Sequence, residues 1–162
     1  MQTIWITGGS SGIGFATAKE FLKNNWQVII SSSNQEKLNN AKNRLNEIDK
    51  KNLLHIVKCD ISIKKEVDET VENIEKNIGK IDIALLNASA YSPNKDQTFN
   101  ISDYELLIDV NIKGTLYCIN KLKDFMKFRD NTIAIISSPL GYRGWPTAGA
   151  YGISKAAQLS LS

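Results

Sequence analysis

Short apolar runs alternate along the chain with longer stretches in which apolar residues recur every three or four positions. A continuous apolar run predicts a strand that is buried on both faces, and the three-to-four spacing predicts an amphipathic helix. The predicted strands cover residues 1–6, 27–31, 53–57, 81–86 and 132–136. Helices are predicted at about 12–24, after Asn34, before Gly79, at about 103–127 and from about 149, with a polar loop at 91–100.

The alternation of strands and helices predicts the architecture. Right-handed crossovers between successive strands produce a parallel sheet with helices on both faces, which is the Rossmann-type doubly wound α/β fold. We expect residues 1–162 to form a single domain of this class. Ligands of such sheets bind beyond the carboxyl ends of the strands. Glycines, hydroxyls, an amide or a carboxylate follow each predicted strand, so we expect these distant segments to share one site.

The segment Thr-Gly-Gly-Ser-Ser-Gly-Ile-Gly at 7–14 follows the first predicted strand and opens the first predicted helix. Glycine permits a positive φ and lets a ligand lie against the backbone. The unpaired N–H groups and the positive dipole end of a helix N-terminus favour a pyrophosphate. The segment therefore predicts a phosphate-binding turn. Taken alone, it is also compatible with a turn that only connects a strand to a helix.

Tyr151 and Lys155 are four residues apart in the last predicted helix and therefore share one of its faces. An ammonium at this spacing favours the tyrosinate form of its neighbour, and such a tyrosine can exchange a proton with a carbonyl or alcohol oxygen. Ser138, at the end of the fifth predicted strand, is placed to hydrogen-bond the same oxygen. Taken alone, the pair is also compatible with two exposed side chains that do no chemistry.

Five segments together resemble the classical short-chain dehydrogenase/reductase family, and the resemblance extends over the whole chain. The pattern Thr-Gly-x-x-x-Gly-x-Gly at 7–14 is similar to the cofactor turn of that family, and Asp60 to the acidic residue after its third strand. Asn-Ala-Ser at 87–89 is similar to its Asn-Ala-Gly motif, with serine in place of the last glycine. The residues that match its catalytic set are Asn111, Ser138, Tyr151 and Lys155.

The resemblance implies an NAD(P)-dependent oxidoreductase that interconverts a small-molecule carbonyl and an alcohol by hydride transfer. It implies that Tyr151 is the general acid/base, that Lys155 tunes the tyrosine and binds the nicotinamide ribose, and that Ser138 orients the substrate oxygen. Asn111 would hold a water that links Lys155 to solvent, although a mid-helix asparagine can also simply face solvent. The implied cofactor-binding residues are Thr7, Gly8, Ser10, Ser11, Gly12, Ile13, Gly14, Ser32, Ser33, Asp60, Ile61, Asn87, Ala88, Ser89, Tyr151 and Lys155.

The end of the second predicted strand bears on the choice between NAD and NADP. NAD sites of this fold carry a carboxylate there, which binds the ribose hydroxyls. Residues 31–34 are Ser-Ser-Ser-Asn and include no acid, so a 2′-phosphate meets no repulsion and hydroxyls can donate to it. We therefore expect NADP to be preferred, although Ser33 and Ser11 stand where NADP-dependent members of the family often carry a basic residue.

Composition and charge argue against several other classes of protein. The formal net charge is only +3, and no basic cluster indicates nucleic-acid binding. Cys59 and Cys118 lack the spacing of metal ligands or of a redox pair, so we expect buried thiols and no metal. No apolar run is long enough to span a bilayer, and no signal peptide is recognisable. A cytoplasmic location is therefore the default expectation.

The chain reaches Ser162 about two turns after Lys155, without a helix-stop signal. Members of the resembled family continue with further strands and helices that cover the nicotinamide and shape the substrate pocket. We therefore expect a fold that is incomplete at its C-terminus and a full-length protein that is a homo-oligomer. Two other hypotheses stay open: a catalytically inactive nucleotide-binding regulator, and a fragment without function. The complete catalytic set favours the enzyme.

Overall fold

A computed structural model describes residues 1–93, 99–127 and 130–161. Its strands are β1 (Thr3–Thr7), β2 (Gln27–Ser32), β3 (Leu54–Lys58), β4 (Ile83–Leu86) and β5 (Thr132–Ile135). All neighbouring pairs are parallel, and the strands form one sheet in the order β3-β2-β1-β4-β5. The winding reverses between β1 and β4, and ligands of such sheets bind beside this point. The predicted strands are each within two residues of the observed bounds.

Helices connect the strands and confirm the predicted α/β class. Within the described residues, their bounds are α1 Gly12–Lys23, α2 Gln35–Asn46, α3 Lys64–Asn73 with a π-helical turn Ile74–Ile78, α4 Ile101–Leu107, α5 Gly114–Met126 and α6 Gly149–Leu159. A 3₁₀ turn, Pro139–Gly141, follows β5. No described helix has the length and apolar character needed to cross a bilayer.

The prediction of one regular helix at about 103–127 is wrong in one respect. The chain is helical from Ile101 to Met126, but Ile108–Lys113 form a π-helical segment between α4 and α5. Such π segments are rare and frequently occur at functional sites. Of the predicted polar loop, residues 94–98 lie outside the described residues, and so does Ser162.

The core consists of two apolar clusters, one on each face of the sheet. Alternate residues of β1 divide between them: Ile4 and Ile6 face one cluster and Trp5 faces the other. The first cluster includes Leu38 of α2, and the second includes Leu122 of α5. Each fully buried Leu or Ile stabilises the fold by about 1.5–3 kcal/mol. Helices on both faces therefore hold the sheet and the ends of its strands in place.

The two cysteines are free and buried, as predicted. Cys59 follows β3 and Cys118 lies on α5, and both belong to the cluster around Trp5. Burial raises the pKa of the Cys59 thiol to about 11 and also raises that of Cys118. Both thiols are therefore protonated near neutral pH and pack as small apolar groups.

Candidate active site

The turn between β1 and α1 depends on two glycines with a positive φ. Gly8 has φ +65° and Gly12 has φ +55°, values that residues with a side chain rarely adopt. A Cβ at Gly8 would also lie 2.8 Å from the Cα of Ala88, so glycine lets the turn approach the segment after β4. Ser11 precedes α1 and makes no side-chain capping bond within the described residues. It therefore leaves the first N–H groups of α1 to other acceptors.

Thr7 and Asn87 join the ends of β1 and β4. The hydroxyl oxygen of Thr7 accepts hydrogen bonds from the backbone N–H of Asn87 and of Ala88, both at 3.0 Å. In return, Nδ2 of Asn87 donates to the carbonyl of Thr7 at 3.0 Å and to that of Gly8 at 3.2 Å. Thr7 is 1% exposed. Thr7 and Asn87 therefore fix the turn from below.

Gly14 allows α1 to pack on these contacts. A Cβ at this position would lie 2.6 Å from Nδ2 of Asn87 and 2.6 Å from the carbonyl oxygen of Gly8. Both distances are far below van der Waals contact, so a side chain would displace either the helix or the asparagine. Gly14 is buried, and its contacts are with the protein. Glycine is therefore required at position 14 because α1 packs there against Asn87 and the backbone of Gly8.

A cavity of about 660 Å³ opens above the carboxyl ends of β1 to β4. Its volume is typical of small-molecule and cofactor sites, which measure about 300–1,000 Å³. Among the described residues, the predicted Thr7, Gly14, Tyr151 and Lys155 are not part of its wall. The predicted residues that do line it are Gly8, Ser10, Ser11, Gly12, Ile13, Ser32, Ser33, Asp60, Ile61, Asn87, Ala88 and Ser89.

Sequence reasoning missed several residues of the wall. The most informative is Lys37, which places a cation in the wall that also contains Ser32 and Ser33. Asn34 caps α2 and accepts a hydrogen bond from the backbone N–H of Lys37 at 2.9 Å, which fixes the first turn of the helix at this edge. The predicted cap at Asn34 was therefore a signal that Lys37, in the first turn of α2, lies near the end of β2. The other missed residues of the wall are Asn34, Cys59, Ala90, Leu106 and Val110.

Asp60 is held in the wall by its own turn. Its Oδ1 accepts from the backbone N–H of Ser62 at 3.0 Å and from the Ser62 hydroxyl at 2.7 Å. The backbone N–H of Asp60 donates to the carboxylate of Glu66 at 2.8 Å. These bonds leave the carboxylate little freedom to rotate, so it presents a defined acceptor at the end of β3.

Asn111 lies in the π segment and is fully buried, which contradicts the alternative of a plain surface residue. Its Oδ1 accepts from the backbone N–H of Ala90 at 2.7 Å. Its Nδ2 donates to the carbonyl of Ala90 at 3.0 Å and to the hydroxyl of Ser154 at 2.9 Å. The side chain therefore ties the segment after β4 to α6, one turn below Tyr151.

Lys155 is 1% exposed, which is unusual for a lysine. Its Nζ donates to the carbonyl of Ile136 at 2.9 Å and to Oε1 of Gln158 at 2.8 Å. The same Nζ lies 5.4 Å from the centroid of the Tyr151 ring. Burial lowers the pKa of Lys155 to about 8. The ammonium is thus held against the tyrosine by two protein acceptors.

Tyr151 and Ser138 lie where α6 meets the end of β5. Tyr151 is half-buried, and its ring makes an edge contact with Tyr91 at 5.0 Å between centroids. The hydroxyl oxygen of Ser138 accepts from the backbone N–H of Leu140 at 3.2 Å, which shapes the 3₁₀ turn. Beside it, the Ser137 hydroxyl donates to the carbonyl of Lys155 at 3.1 Å. This bond and the bond from Lys155 to the carbonyl of Ile136 therefore join α6 to the residues that follow β5.

Comparisons of the sequence support the resemblance. A family model described as short chain dehydrogenase matches residues 2–162. An uncharacterized oxidoreductase of Staphylococcus epidermidis is 31% identical over 153 residues, which are 94% of this chain and 64% of that protein. An uncharacterized oxidoreductase of Staphylococcus aureus has the same identity and the same coverage. The chain thus spans 64% of the length of these curated relatives.

Solved structures show the same fold. Levodione reductase superposes with a TM-score of 0.92 at 22% identity, covering 99% of this chain and 63% of that one. An NAD⁺-bound xylitol dehydrogenase superposes with a TM-score of 0.88 at 26% identity, covering 99% and 62%. The fold, the site geometry and the family match agree with one another. The chain belongs to the short-chain dehydrogenase family.

Proposed function

We propose that this protein is an NAD(P)-dependent oxidoreductase that interconverts a small-molecule carbonyl and an alcohol. The observation that carries the proposal is the buried Lys155 ammonium, held 5.4 Å from the centroid of the Tyr151 ring. Asn111 ties their helix to Ala90 of the cavity wall. Family membership and relatives that are named oxidoreductases support the proposal. When bound, the cofactor would supply or accept the hydride.

The residues of the cavity fit a dinucleotide. Gly8 lies close to Ala88, so this part of the wall consists of backbone atoms. Helix α1 begins at the same turn, and its free N–H groups favour a pyrophosphate. The carboxylate of Asp60 offers an acceptor for an adenine amino group. Lys155 lies outside this wall. Two of its three N–H donors bind the protein, and the third would donate to a ribose hydroxyl.

In carbonyl reduction, Tyr151 would give its phenolic proton to the substrate oxygen. The Lys155 ammonium would stabilise the tyrosinate that remains. Ser138 would donate to the same oxygen, because its bond from Leu140 occupies a lone pair and not the hydroxyl hydrogen. Asn111 would act indirectly, since its bond to Ser154 holds α6 against the π segment.

NADP is our proposed cofactor in preference to NAD. The wall near the end of β2 contains Ser32, Ser33 and Lys37. Hydroxyls can donate to a 2′-phosphate, and the lysine supplies the positive charge that the serine run lacks. The carboxylate that NAD sites of this fold carry after β2 is replaced here by serines.

Replacement of Tyr151 tests the reaction against the alternative of an inactive nucleotide-binding regulator. Tyr151→Phe keeps the ring and its contact with Tyr91 but removes the transferable proton. We expect nearly unchanged NADPH affinity and a turnover lowered by about two to four orders of magnitude on a panel of carbonyls. Tyr142→Phe is the matched control, because that ring is 83% exposed. Parental turnover in Tyr151→Phe would refute the catalytic assignment.

Binding without turnover of any carbonyl or alcohol in the parent chain would instead favour the regulator or the fragment without function. A regulator gains nothing from a lysine buried beside a tyrosine, since burial of a charged group costs free energy. Homo-oligomer formation and a cytoplasmic location stay predictions, which sedimentation and cell fractionation would check.

A further inference from the structure

Gln158 of α6 is a buried amide that contacts the catalytic lysine. It is 1% exposed, and the sequence motifs do not include it. Its Oε1 accepts from Nζ of Lys155 at 2.8 Å. Its Nε2 donates to the carbonyl oxygen of Asn111 at 2.9 Å and to the hydroxyl of Thr115 at 3.0 Å. A single side chain thus connects the ammonium to the π segment and to α5.

The partners of Gln158 fix which way its amide points. An ammonium is only a donor and a carbonyl oxygen only an acceptor. A flipped amide would place N–H groups against Lys155 and an oxygen against the carbonyl of Asn111, so two bonds would become repulsive. The Thr115 hydroxyl donates to the carbonyl of Asn111 at 2.7 Å and must therefore accept from Gln158. The hydrogen-bond network has only this one consistent arrangement.

The carbonyl of Asn111 is fully used by these bonds. A carbonyl oxygen has two lone pairs, and here one accepts from Gln158 and the other from Thr115. The link from this carbonyl to Lys155 therefore runs through protein atoms. An amide has no readily transferable proton at neutral pH, so the link orients the lysine and does not conduct protons.

We propose that Gln158 is a positioning residue for Lys155: its amide fastens the ammonium to the π segment at Asn111 and favours the charged form of the lysine. The inference rests on the proposed function, because Lys155 matters only if it assists Tyr151. A hydrogen bond to the charged form of a group favours that form, and burial of the ammonium opposes it. Loss of the Gln158 acceptor should therefore make Lys155 easier to deprotonate.

Other titratable groups near α6 must be considered in any pH experiment. Tyr151 is the titratable neighbour on the same helix. The packed elements carry groups with partners of their own: Asp103 binds the Ser92 hydroxyl, and Asp109 is paired with Lys113. The other titratable side chains are Tyr104 and Glu105 on α4 and Tyr142 directly after the 3₁₀ turn. On α5 they are Tyr117, Cys118, Lys121, Lys123 and Asp124.

A pH titration of Lys155 in the 162-residue chain tests the inference directly. The titration is monitored by NMR of ¹³C-labelled lysine. We expect Gln158→Leu to lower the pKa of Lys155 by about one unit, because an acceptor is lost. We expect Gln158→Glu to raise it by about one unit or more, because a carboxylate then faces the ammonium. Gln35→Leu, at an exposed position of α2, is the control and should titrate like the parent.

The same variants test the consequence for catalysis. The alkaline limb of the kcat/KM profile should move down in pH in Gln158→Leu and up in Gln158→Glu. A merely structural role would lower activity at every pH and leave the limb in place. An unchanged titration of Lys155 in both variants would overturn the inference. If Gln158→Leu fails to fold, Gln158→Glu, which keeps the shape of the side chain, decides alone.

Failure of the proposed function is distinguishable from failure of this inference. A parent chain that binds no NADPH and reduces no carbonyl refutes the proposed function. The NMR titration does not depend on turnover, so it still reports whether Gln158 controls the charge of Lys155.

Discussion

The turn after β1 presents backbone atoms and small hydroxyls to the cavity, whereas α6 presents long side chains that are buried in the interior. The turn is shaped by Gly8 and Gly12 and is fixed from below by bonds between Thr7 and Asn87. At α6, Lys155 is bound by protein acceptors and is almost completely shielded from solvent. The first region therefore depends on the absence of side chains, and the second on their presence.

This difference predicts how each region fails. A side chain added at Gly8 would meet the backbone of Ala88 at 2.8 Å, and one added at Gly14 would meet the carbonyl of Gly8 at 2.6 Å. The turn would have to shift, so we expect binding to be lost. A side chain removed at α6 leaves buried polar partners without their bonds, so both chemistry and stability suffer. Four predictions test the comparison, from the largest expected effect to the smallest.

Lys155→Ala should have the largest effect. It removes the cation beside Tyr151 and leaves the Ile136 carbonyl and the Gln158 amide oxygen without their donor. We expect turnover to fall by more than the two to four orders of magnitude expected for Tyr151→Phe, and NADPH affinity to fall as well. Steady-state kinetics and a binding titration measure both. Lys65→Ala, at an exposed lysine of α3, is the control, and intact cofactor affinity in Lys155→Ala would contradict the assigned double role.

Gly14→Val should abolish cofactor binding without any change at α6. Its Cβ would meet Nδ2 of Asn87 and the carbonyl of Gly8 at 2.6 Å, which would displace the turn. We expect at least a hundredfold loss of NADPH affinity, a loss of about 2.7 kcal/mol in binding free energy. Calorimetric titration measures it, with circular dichroism to confirm folding. Gly144→Val is the control, because a Cβ there meets nothing within 4 Å. Parental affinity in folded Gly14→Val would remove the turn from the binding site.

The buried lysine should give the stability of the chain an unusual pH dependence. The pKa of Lys155 is about 8 in the folded chain, against 10.5 for an ordinary lysine. Between these values the unfolded chain binds more protons, so the free energy of unfolding should rise with pH. Relative to Lys155→Met, we expect a gain of about 2 kcal/mol between pH 8 and 10. Urea denaturation at several pH values measures it, and parallel curves for parent and variant would contradict the lowered pKa.

Ser32→Asp should have the smallest effect, a change of cofactor preference. The new carboxylate would stand in the cavity wall and repel a 2′-phosphate, while an oxygen there could still accept from the backbone N–H of Asn34. We expect preference to move toward NADH by about tenfold, or 1.4 kcal/mol.

Lys37→Ala tests the same site from the side of the cation. It should weaken NADPH binding and leave NADH binding unchanged. Dissociation constants for both cofactors check this, and a parent that prefers NADH would refute the proposed NADP preference.

Local spacing was sufficient to predict the fold and most residues of the cavity wall. The glycines between 7 and 14 and the polar residues that follow each strand act through backbone geometry, which depends on neighbouring residues in the chain. Parallel topology then brings the strand ends together, as predicted. Lys37 was missed because only the strand ends were considered, although its helix begins at the same edge.

The connections at α6 could not be predicted from spacing. The π segment interrupts a stretch with an ordinary helical pattern, and its Asn111 carbonyl is bound by Thr115 and by the distant Gln158. Gln158 appears in the sequence as one polar residue among others in an amphipathic helix. Its burial is decided by tertiary packing of α6 on the π segment and α5, which no local pattern encodes.

The position of β1 has a consequence for synthesis of the chain. Ile4 of β1 pairs with Val28 of β2 but also with Ile83 of β4, which leaves the ribosome much later. At about 5–20 residues per second, the interval between Ile4 and Ile83 is roughly 4–16 s. Until then one edge of an apolar strand stays unpaired and is open to pairing with another nascent chain. The bonds between Thr7 and Asn87 also cannot form earlier, so the turn after β1 is fixed only after β4 has been made.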